Sequence, residues 1–302
     1  MQTHLDCVPC FIRQALEAIR TASDDPALHE SLLRTLCKEI STMDLSTPPP
    51  VMGRTIHRHV KRMTGLADPY AELKERFNQH ALELLPSLRE EVAVADDPFE
   101  LAVRLAVAGN SIDFGTRHDI SEELLGRVLT KARTAEFLGS IPRLRQAIED
   151  ADSILYLADN TGEIVLDHLL LDQLPLDRVT FAVRGAPIIN DATMADAKRT
   201  GIAQRVRTID SGADLPGTLL EESNPQFQAA FRHADLIISK GQGNFETLNT
   251  DPSGKIFFLL MIKCGVVARD LNAPVGTFVA MPQSELRNRT MKVHEADCLG
   301  RK

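Results

Sequence analysis

The chain has 302 residues, of which 43% are hydrophobic and 25% are charged, and its formal net charge is −8. This composition excludes a disordered or fibrous protein, and the acidic balance gives no reason to expect nucleic acid or an anionic membrane as a partner. No apolar run approaches the roughly 18 to 20 residues of a membrane span, and the polar N-terminus does not match a signal peptide. We therefore expect a cytoplasmic protein with a small ligand.

The cysteines are five in number, an odd count that argues against a disulfide framework and for reduced thiols. Cys7 and Cys10 form a CxxC motif, which is either half of a metal site, a redox pair, or simply two thiols at the start of a helix. No spacing identifies which side chains would complete such a metal site. The candidates are Cys37, His57, His59 and Cys298.

The first part of the chain is predicted to be helical, and none of its first third is predicted as strand. Helical periodicity continues up to the middle of the chain. The predicted helices are Phe11 to Ile19, Ala27 to Ile40, Val51 to Met63, Tyr70 to Leu85, Pro98 to Ala108, Glu122 to Leu138 and Ile141 to Glu149.

The second half of the chain alternates short apolar runs with helical stretches. The predicted strands are Ser153 to Ala158, Val179 to Val183, Val206 to Ile209, Leu236 to Ser239, Ile256 to Met261 and Thr277 to Ala280. Strands that alternate with helices indicate a mainly parallel sheet covered on both faces. We therefore predict an α/β protein in which a helical region, residues 1–145, precedes a three-layer α/β/α Rossmann-like domain, residues 146–302.

The first of these strands ends in Asp159-Asn160-Thr161-Gly162-Glu163, immediately before the helical pattern of Ile164 to Leu171. In a parallel sheet such a turn lies at the carboxyl edge, where ligands bind, and the helix N-terminus favours anions. The oxygens of Asp159 and Asn160 suit Mg²⁺ or Mn²⁺. The alternative is that Asn160 or Thr161 only caps the next helix.

A second strand ends in a similar way. Ala234 to Ile238 leads to Lys240-Gly241-Gln242-Gly243-Asn244-Phe245-Glu246, in which glycines and a lysine could hold a phosphate. The order of residues is neither that of a Walker loop nor that of a dinucleotide fingerprint, so an ordinary turn is the alternative. If the two strands are adjacent, both turns lie at one edge of the sheet and can form one site.

Three further residues are candidates for the same site. Asp191 either caps the helix that begins near Met194 or provides a second carboxylate for the cation. Arg184 is suitably placed to meet an anion. Lys263 ends the apolar run from Ile256 and either extends to solvent or binds an anion, since a buried unpaired lysine is costly.

Taken together, these motifs resemble the damage-control phosphatase family, also called domain of unknown function 89, and its stand-alone, mainly prokaryotic CxxC-containing branch. Seven motifs follow one another in the family's order. They are Cys7-x-x-Cys10, Ala108-Gly109-Asn110 with Asp113, Asp159-Asn160-x-Gly162-Glu163, Arg184-Gly185 with Asn190-Asp191, Gly217-Thr218, Lys240 to Glu246, and Lys263-Cys264.

The resemblance implies a metal-dependent phosphatase that hydrolyses phosphate monoesters of small metabolites such as sugar phosphates. It implies an α-helical part on an α/β/α core, and a divalent cofactor, Mn²⁺, Mg²⁺, Co²⁺ or Ni²⁺, bound by Asp159, Asn160 and Asp191. Family positions that contact substrate or phosphate match Glu163, the loop from Lys240 through Gly241 and Asn244, and Lys263. Asn110 and Asp113 match a region that reaches the cleft from the helical part.

We expect the cation to polarise the phosphoryl group while Lys240 and Lys263 hold it. The nucleophile is either Asp159, through an aspartyl-phosphate, or a metal-activated water oriented by Glu163 or Asp191. A nucleotide-cofactor-dependent methyltransferase is an alternative, but its glycine turn is poor and Arg184 stands where an acidic residue is needed. A non-catalytic metal or metabolite sensor would use the same ligands without releasing phosphate.

Overall fold

The computed structural model describes residues 1–111 and 122–286, so Asp113 and Cys298 lie outside the described residues. The first part is helical, as predicted. Its helices are α1 (Cys7–Ala22), α2 (Pro26–Thr42), α3 (Pro49–Thr64), α4 (Ala71–Ala93), α5 (Pro98–Ser111) and α6 (Glu122–Thr134).

Helices α1 to α3 form a bundle with an apolar cluster of their own. Its fully buried members include Ala15, Ile19, Leu32, Leu36, Ile56 and Val60. Asp25 caps α2 by accepting a hydrogen bond from Ala27 N, and α3 ends at Gly65 in the left-handed conformation. We call α1, α2 and α3 the helix bundle. Arg58 of this bundle forms a salt bridge, at 2.6 Å, with Asp214 in the second half of the chain.

The sheet has seven strands among the described residues. They are β1 (Phe137–Gly139), β2 (Ile154–Leu157), β3 (Val179–Val183), β4 (Arg207–Asp210), β5 (Leu236–Lys240), β6 (Ile256–Met261) and β7 (Phe278–Pro282). Between them lie α7 (Ile141–Glu149), α8 (Glu163–Leu171), α9 (Met194–Arg199), α10 (Ile202–Arg205), α11 (Pro225–His233), α12 (Gln242–Leu248) and α13 (Gly265–Leu271).

The spatial order of the strands is β1-β7-β6-β5-β2-β3-β4. Strands β4, β3, β2, β5 and β6 run parallel, whereas β7 runs antiparallel to β6 and carries β1 parallel to itself. The prediction of a mainly parallel sheet is confirmed. The prediction missed β1, since three residues are too few to show a period, and the helix predicted to reach Leu138 ends at Thr134.

Side chains of the central strands alternate between two buried clusters, one on each face of the sheet. Ile154 and Tyr156 belong to the cluster that includes residues of α4, α5 and α8, whereas Leu155 and Leu157 belong to the cluster that includes residues of α11, α12 and α13. The sheet is therefore covered on both faces, as predicted. The division of the chain near residue 145 stays a prediction.

Helix α8 is buried along its whole length, because α4 and α5 cover the side that faces away from the sheet. This arrangement brings the C-terminal end of α5 to the carboxyl edge of the sheet. In the described ranges 1–111 and 122–286 we find no helix with the length and apolarity needed to span a membrane.

A buried polar network fixes α4 to the carboxyl edge. Asn78 accepts a hydrogen bond from Gly162 N at 2.8 Å and donates one to Asp196 Oδ1 at 3.0 Å. Lys74, also buried, lies 3.3 Å from Asp196 and 3.2 Å from Asp68. The turn after β2 is thus supported from outside the sheet by a helix of the N-terminal part.

We predict that Asn78→Ala lowers the free energy of unfolding by about 2 kcal/mol, because it leaves the buried Gly162 N–H without an acceptor. Denaturant unfolding followed by circular dichroism measures the change. Gln79→Ala is the control, since Gln79 is exposed on the same helix. A difference of less than about 0.5 kcal/mol between the two variants would contradict the role of Asn78.

Candidate active site

The ends of β2 and β5 lie side by side, because Leu157 pairs with Ser239 in parallel register. This confirms the expectation that the two polar turns share one edge of the sheet. The chain that follows β3 then returns along the end of β2. Ala192 N donates to Asp159 O at 2.8 Å, and Thr161 N donates to Asn190 O at 2.9 Å. Asn160 and Asp191 consequently form an antiparallel bridge.

This backbone arrangement brings together the three predicted oxygen donors. Asp159, Asn160 and Asp191 are 7%, 7% and 3% exposed. Asn160 donates through Nδ2 to Asp159 Oδ2 at 2.7 Å. Its Oδ1 accepts no hydrogen bond from the described residues. Asp191 likewise uses only Oδ2 in its contact with Arg184. Amide and carboxylate oxygens therefore remain available for a cation.

Arg184 lies between the two carboxylates. Its Nε donates to Asp191 Oδ2 at 2.6 Å, and its Nη2 lies 3.4 Å from Asp159 Oδ1. The side chain is only 4% exposed, and Nη1 donates to Gly217 O at 2.8 Å. The expectation that Arg184 meets a ligand anion is corrected, because its guanidinium is already engaged by protein oxygens.

Glu163 accepts hydrogen bonds beneath these donors. Its Oε2 lies 3.0 Å from Asn160 Nδ2 and 3.1 Å from Asn110 Nδ2. Asn110, on α5, also donates to Asp159 Oδ2 at 2.9 Å and accepts from Met261 N at 3.1 Å. The helical part thus reaches the site through Asn110, as expected. Glu163 is fully buried, so the expectation of a direct substrate contact is corrected to a supporting position.

Lys240 is also fully buried, and its ammonium turns away from the ligand side. It forms ion pairs with Asp167 and, at 2.8 Å, with Glu163 Oε1, and it donates to Ala106 O at 3.0 Å. The ammonium group thus donates two hydrogen bonds, to Asp167 and Ala106, and has the charge of Glu163 beside it. The expectation that Lys240 holds phosphate is therefore corrected, because it neutralises buried carboxylates instead.

Sequence reasoning missed Asp167 and Tyr156. Tyr156 Oη donates to Asp167 Oδ1 at 2.7 Å, and both side chains are fully buried. Asp167 lies four residues after Glu163, on the same face of α8, so both carboxylates reach Lys240. A signal was present, since Asp167 and His168 are the two polar residues in the mainly apolar run Ile164 to Leu171.

Asn244 ties the strand ends together. It donates through Nδ2 to Lys240 O at 2.8 Å and accepts at Oδ1 from Arg184 at 3.0 Å and from Thr218 at 2.9 Å. Asn244 is fully buried. Its predicted contact with substrate is corrected, because the side chain is used to fix Arg184 and the turn at Gly217.

Gly241 follows β5 with a φ of 81°, a conformation that favours glycine. A Cβ at this position would overlap the carboxylate of Asp159. The predicted role of this glycine in phosphate binding stays a prediction. What the structure shows is that the absence of a side chain lets the two turns approach each other closely.

Lys263 differs from Arg184 and Lys240, the other two cations of the site. It is half-buried, and no described residue forms an ion pair or hydrogen bond with its ammonium group. Its positive charge nevertheless reaches Asp159, where it opposes the rise in the pKa of that carboxyl group. Lys263 is therefore a cation near the predicted metal ligands that has no protein partner among the described residues, as an anion-binding residue requires.

Burial disfavours the charged forms of both predicted carboxylate ligands, Asp159 and Asp191. Burial raises the pKa of Asp159 to about 8, with the charges of Glu163 and Asp191 adding to the effect. Burial also raises the pKa of Asp191, although Arg184 opposes the shift. This electrostatic environment favours a bound cation.

Other metal candidates do not converge. No described group of three or more His, Cys, Asp or Glu side chains is arranged to hold a metal ion. Cys37 is exposed on α2, His59 lies 3.4 Å from Glu39, and His57 is buried against Tyr70. Cys7 is half-buried and Cys10 is exposed.

The fold and the site define an α/β protein with a buried cluster of carboxylate and amide oxygens at the carboxyl edge of its sheet. Comparison with known families then identifies it more closely. Residues 3–279 match the family described as "damage-control phosphatase ARMT1-like domain", and the chain belongs to this family.

Two curated proteins and one solved structure are similar to most of the chain. The chain is 32% identical over 291 residues to "Damage-control phosphatase PH1575" of Pyrococcus horikoshii, covering 93% of this chain and 98% of that protein. It is 34% identical over 282 residues to a "Damage-control phosphatase" of Archaeoglobus fulgidus, covering 91% and 96%. The crystal structure of a DUF89 family protein from Pyrococcus horikoshii has a TM-score of 0.86 at 31% identity, covering 94% of this chain and 99% of that one. Family membership supports a phosphatase function.

We predict that Gly241→Ala destabilises the protein more than Gly254→Ala. Both glycines have similar positive φ angles, 81° and 74°, so each variant loses about 1 to 2 kcal/mol from backbone strain. Only at Gly241 would the new methyl group overlap Asp159, since nothing lies within 4 Å of the corresponding position at Gly254. Thermal and denaturant unfolding measure the difference. Equal losses would contradict the close approach of the two turns.

We predict that Lys240→Met lowers the free energy of unfolding by about 3 to 5 kcal/mol, because two buried carboxylates lose their counter-charge. Burial and Glu163 already raise the pKa of Asp167 to about 6 although Lys240 opposes them, so without Lys240 that pKa rises further. A carboxyl group with a raised pKa binds more protons in the folded state, so the variant loses stability as the pH rises from about 6 to 8.

Denaturant unfolding of Lys240→Met at several pH values tests whether its stability falls as the pH rises. Adding Asp167→Asn to the variant removes one of the stranded carboxylates and should restore part of the stability. A Lys240→Met protein that is as stable as the wild type, or one whose stability increases with pH over this range, would contradict the buried ion pair.

Proposed function

We propose that this protein is a divalent-metal-dependent phosphatase that hydrolyses phosphate monoesters of small metabolites, with sugar phosphates as the substrate class. The observation that carries the proposal is the meeting of Asp159, Asn160 and Asp191 at the edge of the sheet, near Lys263, whose ammonium has no hydrogen-bond or ion-pair partner among the described residues. Carboxylate and amide oxygens suit hard divalent cations, and the ammonium group suits a phosphate. The family's name agrees with this chemistry.

The residues fit such a cation. Asn160 Oδ1 accepts no described hydrogen bond, and each carboxylate keeps an oxygen that Arg184 engages only weakly or not at all. Mn²⁺, Mg²⁺, Co²⁺ or Ni²⁺ held by Asp159, Asn160 and Asp191 would supply Lewis-acid polarisation of the phosphoryl group.

The surrounding side chains have separate tasks in this proposal. Lys263 binds the non-bridging oxygens of the phosphate. Arg184 orients the carboxylates of Asp159 and Asp191. Asn110 hydrogen-bonds to Asp159, and Glu163 fixes the amide of Asn160. Ligands that are already fixed need no reorganisation during the reaction. Such electrostatic preorganisation is usually the largest single contribution to catalysis.

Two nucleophiles are compatible with this site. Asp159 can attack phosphorus and form an aspartyl-phosphate, or a water can attack with Asp191 accepting its proton. Glu163 is too deeply buried to orient that water, because its side chain is fully enclosed. Hydrolysis of a substrate that is chiral at phosphorus separates the routes, since the covalent route makes two in-line displacements and retains the configuration, whereas direct attack by water inverts it.

We predict that Asp191→Asn lowers the rate of p-nitrophenyl phosphate and sugar-phosphate hydrolysis by at least about 100-fold, because one negative ligand of the cation is lost. Assays run with each of the four cations, and after chelation, measure the effect. Hydrolysis that survives chelation, or that Asp191→Asn leaves unchanged, would contradict the proposal. Metal binding without any hydrolysis would favour a non-catalytic sensor.

We predict that Lys263→Gln raises KM for phosphate monoesters by about 10-fold or more while stability is retained, since the ammonium has no described protein partner to lose. Lys38→Gln is the matched control, because Lys38 is exposed on α2. Steady-state kinetics and thermal unfolding are measured together. A Lys263→Gln enzyme with unchanged KM and kcat would contradict a phosphate contact at Lys263.

A further inference from the structure

Strand β6 extends beyond the end of its neighbour β5 at the carboxyl edge of the sheet. Strand β5 ends at Lys240, which pairs with Leu259 of β6, and Gly241 N donates to Leu259 O at 3.0 Å. Strand β6 continues to Met261, and Lys263 follows two residues later. Beyond Leu259, the N–H groups on this side of β6 therefore have no strand of the described chain beside them.

Two side-chain amides take the place of the missing strand. Met261 N donates to Asn110 Oδ1 at 3.1 Å, and Lys263 N donates to Gln242 Oε1 at 2.8 Å. The two donors are two residues apart, as expected for N–H groups that leave a strand on the same side. An N–H group withdrawn from water is costly without an acceptor, so Gln242 holds the backbone of Lys263 in place.

The other contacts of the Gln242 amide set its orientation. Its Nε2 donates to Glu246 Oε1 at 2.8 Å, one turn further along α12, and lies 3.5 Å from Cys264 Sγ. Because the carboxylate oxygen of Glu246 accepts this bond, the NH₂ group faces Glu246 and the carbonyl oxygen is left to accept from Lys263 N. Gln242, Glu246 and Lys263 are all half-buried. The amide cannot turn over without losing these bonds.

Gln242 also connects Lys263 to the predicted metal ligands. It follows Gly241, whose lack of a side chain lets this turn approach Asp159 closely. Lys263 in turn lies near enough to oppose the rise in the pKa of Asp159. The position of Lys263 relative to Asp159 therefore depends on the hydrogen bond from Lys263 N to Gln242.

We propose that Gln242 is a positioning residue of the phosphate site, because it fixes the backbone from which the Lys263 ammonium reaches the phosphate. The inference rests on the phosphate contact proposed for Lys263. A lysine side chain loses rotational freedom when it holds an anion, and a backbone that is already fixed keeps that loss from becoming larger. Gln242 itself contacts no substrate in this account, since both ends of its amide are bonded to protein groups.

The first test removes the acceptor in the full chain. Gln242→Leu should raise KM for p-nitrophenyl phosphate by about 5-fold and change kcat by less than about 2-fold, because one hydrogen bond that supports binding is lost while the metal ligands are untouched. In a Lys263→Gln background the same substitution should change KM by less than about 2-fold, since the ammonium that it positions is absent. A loss of kcat in both backgrounds would show a merely structural role and would overturn the proposal.

Two further variants keep this test independent of folding. Gln79→Leu is the matched control, because Gln79 donates to Glu83 at 3.0 Å with the same four-residue spacing but on the exposed side of α4, so KM and kcat should not change. Gln242→Glu combined with Glu246→Gln exchanges the amide and the carboxylate. That double variant still offers an acceptor to Lys263 N, so its KM should lie within about 2-fold of the wild-type value.

Acylation of Lys263, followed by mass spectrometry of its peptide, separates this inference from the proposed function. Inorganic phosphate with Mn²⁺ should protect Lys263 of the wild type, and Gln242→Leu should need about 5-fold more phosphate for the same protection. Phosphate that fails to protect Lys263 in the wild type overturns the phosphate contact and this inference with it. Protection that Gln242→Leu leaves unchanged, or a KM effect that persists in the Lys263→Gln background, overturns the role of Gln242 alone.

Discussion

Lys240 carries a positive charge into the interior of the molecule, where Asp167 and Glu163 neutralise it. Burial alone would favour the uncharged amine, but the two carboxylates raise the pKa of Lys240 above its ordinary value. Removing such charges from water is costly, so the group is stable only while every partner is present. The position of Glu163 is fixed as a result, and through it those of Asn160 and Asn110.

The cations of the site fall into two classes. Lys240 and Arg184 are buried and fully engaged by protein oxygens, so they organise the carboxylates and asparagines. Lys263 is half-buried and has no described partner. In our proposal the first two cations build the site and only the third meets the phosphate. Burial and, to a smaller extent, the charges of Glu163 and Asp191 keep the pKa of Asp159 raised, and a divalent cation beside it would favour its charged form.

Periodicity was enough to predict six of the strands and the helices of the N-terminal part, since each long element buries one face or one side. The likeness between the turns at Asp159 and Lys240 suggested one shared site only if their strands were adjacent, and the pairing of β2 with β5 meets that condition. Strand β1 was missed, because Phe137-Leu138-Gly139 takes its structure from pairing with β7 and not from a local pattern.

The role of Lys240 could not be predicted from the sequence, for a different reason. A lysine at the end of a strand has the same local pattern whether its ammonium turns to a ligand or to the interior. What decides is the carbonyl of Ala106 and the carboxylate of Asp167, which are distant in the chain. The same holds for Arg184, whose partners Asp159 and Asp191 were themselves predicted correctly to lie together.

The central claim is that one cation joins two carboxylates and an amide, with a phosphate beside Lys263. A crystal structure with Mn²⁺ and inorganic phosphate tests it most directly, because the anomalous signal locates the ion. The account predicts a peak bonded to oxygens of Asp159, Asn160 and Asp191, with the phosphate hydrogen-bonded to Lys263. Manganese bound elsewhere, or phosphate held away from Lys263 at this edge of the sheet, would contradict it.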